Sequence, residues 1–142
     1  ELSKHKNIVA AKEANGDISA LAQTVKLCGD ELTIYSGNDD QITAFMSLGA
    51  KGVISVLSNI APRAVNDMVT MYLDGDTAAS TELQLKYLDL CSSLFSDVNP
   101  IPVKEAMNMM GMEVGSCRLP LAQIQPQAKE KLRRSLSALG MI

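Results

Sequence analysis

The sequence predicts an α/β fold that opens with parallel strand–helix units and ends in helices alone, and three observations lead there. Short apolar runs recur near residues 7–11, 32–35 and 52–56, each closed by turn residues, as in buried parallel strands. Behind each run, apolar residues return at helical spacing. Beyond Gly75 the strand signal stops while the helical one continues.

The first run, Asn7 to Ala11, ends in Lys12-Glu13 and the turn Asn15-Gly16-Asp17, with Asp17 placed as a helix N-cap. Ile18, Leu21, Ala22 and Val25 then form an apolar stripe, and Gly29 stands where the helix needs a left-handed C-terminal residue. The second run, Leu32 to Tyr35, leads into Ser36-Gly37-Asn38-Asp39, a turn carrying its own cap. A helical face of Ile42, Phe45 and Met46 follows, closed by Gly49. The third run, Gly52-Val53-Ile54-Ser55-Val56, precedes a helix with Pro62 in its first turn and Val65, Met68, Val69 and Tyr72 on its inner face. Three such units in succession imply a parallel sheet with right-handed crossovers.

In the tail, Tyr87, Leu90, Cys91 and Leu94 mark a helix from about Thr77 to Ser96, and Pro102 starts a shorter one through Met110. Leu132, Leu136 and Leu139 mark a last helix beginning near Pro126. The expected organisation is therefore strand-bearing units over residues 1–75 and a helical extension over residues 76–142. Three parallel strands rich in Val and Ile have two open edges and two apolar faces, more than these helices cover. The chain reads as a piece of something larger.

Composition narrows the function classes. Apolar residues make up 46%, charged residues 20% and aromatics 4%, with no Trp, which suits a globular interior of Leu, Ile, Val, Ala and Met. Thirteen Lys and Arg against sixteen Asp and Glu give a net charge of -3, so no global positive field draws in nucleic acid or an anionic membrane. Small polar molecules are the better ligand class. Cys28, Cys91 and Cys117 are widely spaced and odd in number, and none forms a C-x-x-C pair. That usage argues against a disulfide framework or a zinc site and for a reducing cytoplasm. No apolar stretch reaches the roughly twenty residues of a membrane span, and Glu1-Leu2-Ser3-Lys4 does not open like an export leader.

In parallel α/β architectures reactive groups gather at the C-terminal ends of strands, which singles out Lys12, Gly37 with Asn38, and the Ile54-Ser55 region. Lys12 ends an otherwise apolar strand. An amine held in a dry barrel loses ion solvation, which favours its neutral, nucleophilic form and lets it condense with a ketone. The plainer reading turns Lys12 outward into solvent or pairs it with Glu13. For Gly37 the plainer reading is a tight strand-to-helix turn, and it is compatible with a close approach of the main chain to a ligand.

Ile8-Val9-Ala10-Ala11-Lys12-Glu13-Ala14-Asn15-Gly16-Asp17 resembles the Schiff-base lysine segment of the dihydrodipicolinate synthase and N-acetylneuraminate lyase superfamily. Ser36-Gly37-Asn38-Asp39, followed by Phe45 to Val56, is similar to the next two strands of those enzymes, at matching spacing. Asn99-Pro100-Ile101-Pro102-Val103-Lys104 and Leu119-Pro120-Leu121 resemble the synthase branch, and the likeness covers essentially the whole chain. Two departures stand out: Ala10-Ala11 where the family usually has Gly-Ile, and Asn38 where Asp is common.

The resemblance implies the last three strands of a (β/α)8 TIM barrel, their helices and a C-terminal helical extension. It implies that Lys12 attacks the keto carbon of pyruvate, with no metal or cofactor, and that the resulting enamine adds to aspartate semialdehyde. The product would be 4-hydroxy-tetrahydrodipicolinate, a cyclic precursor of diaminopimelate and lysine. The backbone carbonyl of Ile54 would contact pyruvate, while Gly37 and Asn38 would border the second substrate. The family's threonine-rich turn, relay tyrosine and substrate-binding arginine belong to the first half of the barrel, and Tyr35, Tyr72 and Tyr87 do not occupy the tyrosine motif. A cytoplasmic homo-oligomer, tetrameric in the family, is implied, and the chain by itself is expected to be inactive. Competing readings are a sister aldolase acting on N-acetylneuraminate or a 2-keto-3-deoxy sugar acid, and a non-catalytic module that self-associates through open sheet edges.

Other polar clusters have simpler explanations. Asp39 and Asp40 at a helix start serve better as cap and dipole partner than as a cation site, and His5, the only histidine, suits a solvated position before the first strand. Met107, Met109, Met110 and Met112 suit irregular core gaps or subunit contacts. Lys129, Lys131, Arg133 and Arg134, with Glu130 among them, suit a solvated helix face.

Overall fold

A computed structural model describes all 142 residues, Glu1–Ile142. Two strands, β1 (Ala10–Glu13) and β2 (Thr33–Ser36), pair in parallel with Ala11 opposite Ile34 and Lys12 opposite Tyr35. Between them runs helix α1 (Ile18–Cys28), whose first turn is capped by Asp17, with its Oδ1 accepting from Ser19 N at 2.8 Å and Ala20 N at 3.0 Å. Gly29 ends α1, as its position in the sequence predicts. Helix α2 (Ile42–Ser47) follows β2 through a short 3-10 turn at Asp39–Gln41. Leu21, Ile34, Phe45 and Ala50 form a core on one face of the strand pair, flanked by Ala11, Val25, Leu32 and Leu48. Burying each large side chain in that set stabilises the fold by about 2 kcal/mol.

The third predicted strand is not a regular strand. Residues 52–56 make one parallel bridge, Val53 to Ser36, before the chain turns into a 3-10 segment at Leu57–Asn59. The hydrogen bonds give the reason. Lys51 N donates to Ile34 O at 2.9 Å and Ile54 N donates to Ser36 O at 2.8 Å. Lys51 to Ile54 thus advances one residue more than Ile34 to Ser36, and the ladder loses register. Gly52 absorbs the extra residue at φ 152°, a backbone angle that suits only glycine. Two parallel strands and one bridge are what part of a barrel contributes; the chain itself shows a two-stranded sheet.

The cap of α2 is also not where the sequence puts it. Asp39 is buried at 1% exposure, and the residue before α2, Gln41, makes no capping bond with its side chain. The cap comes from Gln84, whose Oε1 accepts from Thr43 N at 2.7 Å while its Nε2 donates to Asp40 O at 2.6 Å. Gln84 lies on α4 (Thr77–Leu94), which follows α3 (Pro62–Leu73), and both helices begin where the sequence predicts. Ser80 Oγ donates to Met68 O at 2.6 Å, fixing the start of α4 on α3.

Packing divides the chain into two units, Glu1–Ser55 with Arg63–Leu85 and Val56–Pro62 with Lys86–Ile142. In the second unit α5 (Ile101–Met109) and α6 (Pro126–Ala138) pack together, burying Ile101, Val103, Ala106, Ala128, Leu132 and Leu136. Met107, Met109 and Met110 are only half-buried and Met112 is exposed, so the methionines do not fill this core. The basic run is exposed, with Arg133 and Arg134 on Glu130 at 3.2 and 3.7 Å and Lys129 on Glu105 at 2.6 Å. No helix is long and apolar enough to cross a membrane.

Asp97 steadies the entry to α6: its Oδ2 accepts from Gln125 N at 3.0 Å and its Oδ1 from Val98 N at 2.7 Å. The Gln125 amide, then the Val98 amide, holds the Asp97 carboxyl below the ordinary carboxylate range. A lowered folded value means stability present above the unfolded value, about 3.9, and lost as pH falls through the folded one.

Two outcomes follow from this packing. Gln84→Leu removes both bonds from a part-buried N–H and C=O and should cost about 1 kcal/mol in urea denaturation; an unchanged midpoint would deny the cap any weight. The stability gap between the parent chain and Asp97→Asn should close as pH falls below about 4, measured by denaturant titration across pH; a gap constant with pH would refute the role given to the carboxylate.

Candidate functional site

Side chains alternate along a strand, so the pairing that sends Ala11 and Ile34 into the helix-covered core puts Lys12 and Tyr35 on the other face. Lys12 is exposed there, as is Ala10. The face opposite the helices therefore carries the amine, at the C-terminal end of β1.

Gly37 follows β2 directly and is buried beneath that amine. Its N–H donates to Glu13 O at 2.7 Å, extending the pairing one residue beyond the strands. A Cβ at position 37 would lie 2.5 Å from Ala14 Cβ, 2.9 Å from Lys12 Cε and 3.1 Å from Glu13 O. Only a hydrogen fits, and the stem of Lys12 rests on the space a side chain would take. The demand on Gly37 is one of volume.

Asn38 is half-buried next to it. Its Nδ2 donates to Gln41 Oε1 at 3.3 Å, and Gln41 Nε2 donates to Gly16 O at 3.3 Å, linking the turn after β2 to the turn after β1. The turn after β1 is built locally: Glu13 Oε1 accepts from Asn15 N and Asn15 Oδ1 accepts from Asp17 N, both at 2.8 Å. Glu13 is thus engaged with the backbone of its own turn.

Ile54 sits on the bridged segment beside β2, 49% exposed, its N–H given to Ser36 O at 2.8 Å. The fold accordingly brings Lys12, Gly37, Asn38 and Ile54 to the same end of adjacent parallel segments. Sequence reading missed Ser36, taken only as a turn residue. It is fully buried, its main chain bonds Gly52 O and Ile54 N, and its Oγ bonds Asn38 N at 3.1 Å and Asn38 O at 2.9 Å. A serine directly before the glycine of a strand-to-helix turn is the one signal that pointed there. His5 is exposed before β1, as the sequence predicts.

A lone amine presented at the rim of parallel strands, over a glycine floor and beside a main-chain segment, can attack an electrophilic carbon and hold the adduct near backbone donors and acceptors. Comparisons with known proteins bear on which carbon. The sequence matches the dihydrodipicolinate synthetase family over residues 1–139. It is 48% identical over 142 residues to a 4-hydroxy-tetrahydrodipicolinate synthase of Clostridium perfringens strain SM101, covering 100% of this chain and 49% of that protein. The like-named protein of Caldicellulosiruptor saccharolyticus is 51% identical over 141 residues, 99% of this chain and 48% of its own. The chain spans about half the length of the curated relatives it matches. Among solved structures, dihydrodipicolinate synthase from Thermotoga maritima superimposes with a TM-score of 0.93 at 38% identity, covering 99% of this chain and 48% of that one. The chloride-inhibited enzyme of Acinetobacter baumannii, solved with pyruvate, gives 0.93 at 36% identity with the same coverage.

Gly37→Ala should lower the stability of the chain by about 1–3 kcal/mol through overpacking against Ala14 and Lys12. Thermal denaturation of the two forms checks it, and equal midpoints would contradict the contact.

Proposed function

The chain belongs to the dihydrodipicolinate synthetase family, and from that premise we propose that it supplies the lysine-bearing C-terminal part of a barrel enzyme that condenses pyruvate with aspartate semialdehyde. The observation that carries the reading is the position of Lys12, on the face of β1 turned away from the helices, with Gly37 beneath its stem. In a closed barrel that face is the interior. The remaining strands would complete the enclosure and remove water from the amine. They would come from a polypeptide stretch matching the other half of the relatives, and without them the chain is inactive.

In this reading the neutral Lys12 amine attacks the keto carbon of pyruvate, and loss of water leaves a protonated imine. The imine withdraws electrons from the adjacent methyl carbon, which gives up a proton and becomes an enamine. The enamine carbon bonds to the aldehyde carbon of aspartate semialdehyde, whose oxygen takes a proton. The amino group of the second substrate then closes the ring on the imine carbon and releases Lys12. The product is 4-hydroxy-tetrahydrodipicolinate, on the route to diaminopimelate and lysine.

The roles of the neighbours follow from their chemistry. The Ile54 carbonyl lies on the segment held beside β2 and would contact bound pyruvate, accepting a hydrogen bond from the hydroxyl of the carbinolamine that forms with Lys12. Gly37 and Asn38 would border the aldehyde, Gly37 because only a hydrogen fits there. The mechanism uses no metal and no organic cofactor, and the intact enzyme would work in the cytoplasm as a homo-oligomer.

The test joins this chain to the first half of the Clostridium perfringens relative in place of that protein's own second half. Borohydride reduction with pyruvate, followed by peptide mapping, should place the adduct on Lys12, and Lys12→Arg should abolish trapping and lower turnover by at least about a thousandfold. An adduct on another lysine would overturn the assignment. Turnover by the 142-residue chain alone would contradict its need for the remaining strands.

A further inference from the structure

We propose that Ser36 is a positioning residue whose buried hydroxyl sets the Gly37–Asn38 turn that receives the second substrate, and takes no part in the attack on pyruvate. The proposal rests on the reading of the site given above and deepens it by separating the two substrates' requirements.

The separation is visible in the hydrogen bonds of this one residue. Its main chain serves the strand: Ser36 N donates to Gly52 O at 2.9 Å and Ser36 O accepts from Ile54 N at 2.8 Å. Its side chain serves the turn: Oγ accepts from Asn38 N at 3.1 Å and donates to Asn38 O at 2.9 Å. A hydroxyl is suited to this pairing because it donates once and accepts at the same time. Gripping both the N–H and the C=O of the residue two places on fixes the peptide planes on either side of Asn38.

Ser36 is fully buried, so water cannot replace the hydroxyl without opening the turn. The effect then passes outward, since Asn38 Nδ2 holds Gln41, and Gln41 reaches Gly16 O in the turn after β1. Removing the hydroxyl alone leaves every main-chain bond of Ser36 in place, so Lys12 and the Ile54 segment keep their supports while the Gly37–Asn38 turn loosens.

Two measurements judge this. In the 142-residue chain, Ser36→Ala should speed amide exchange at Asn38 by about tenfold, the equivalent of one lost buried hydrogen bond, and leave exchange at Ile54 unchanged. In the chimaera described above, Ser36→Ala should keep borohydride trapping by pyruvate and the KM for pyruvate within about twofold while raising the KM for aspartate semialdehyde about tenfold. Ser36→Thr, which keeps the hydroxyl, should restore that KM. An unchanged aldehyde KM, both KM values rising together, or unaltered exchange at Asn38 would each overturn the proposal. If the unmutated chimaera traps no pyruvate, the functional reading fails, and the exchange experiment still decides whether Ser36 holds the turn.

Discussion

Everything in the strand-bearing unit depends on the register in which β1 pairs with β2. Ala11 opposite Ile34 gives the helices a flat apolar surface to cover, and Lys12 opposite Tyr35 follows on the other side because side chains alternate. A slip of one residue would drive the ammonium group into the cluster of Leu21, Phe45 and Ala50, where an unpaired charge is far too costly to keep. The core and the reactive amine are therefore specified together. The hydrophobic demand of α1 and α2 fixes the register, and the register aims the lysine.

Beyond the ends of the strands the constraint changes from pairing to volume and hydrogen bonding. Gly37 continues the pairing through Glu13 O and lies so close to Ala14 and Lys12 that no side chain is admitted. Ser36 joins the neighbouring bridged segment to β2 by its main chain and the following turn by its hydroxyl. Rigidity at these turns comes from buried bonds on short side chains, which lose little rotamer freedom on ordering. That is a suitable support for groups that must stay placed while a substrate is bound.

The helices are held by contacts from a distance. Gln84, more than forty positions along the chain, supplies the cap of α2, and Ser80 fastens α4 to α3. In the second unit Asp97 anchors the entry to α6, while Lys104 Nζ on Ser116 O and Asn108 Nδ2 on Gly115 O pin the connection between α5 and α6. A long connection with little regular structure is ordered here by side chains that reach its backbone carbonyls.

Much of this could be read from residue order because the causes are local. Asp17 before an apolar stripe caps α1, Pro62 and Pro126 sit in the first turns of α3 and α6, and the four-residue spacing of Leu132 and Leu136, about one helical turn, marks a buried face. The segments around Lys12 and Gly37 also carried the likeness to the family that the comparison places over residues 1–139. Three features were beyond sequence reading, since each is a relation between distant positions. The run at 52–56 has the composition of a strand, yet an extra residue at Gly52 reduces it to a bridge, and that mismatch exists only once Ile34 and Ser36 lie alongside. Asp39 looks like a cap, but the bond to Thr43 N comes from Gln84, whose approach depends on how α4 folds back. Ser36 looks like any turn serine until burial removes water as its alternative partner. The sequence by itself determined the first two strand–helix units, the helical tail and the amine at a strand end. Tertiary structure alone decided which polar atoms meet, because hydrogen bonds act over about 3 Å and that proximity is set by packing.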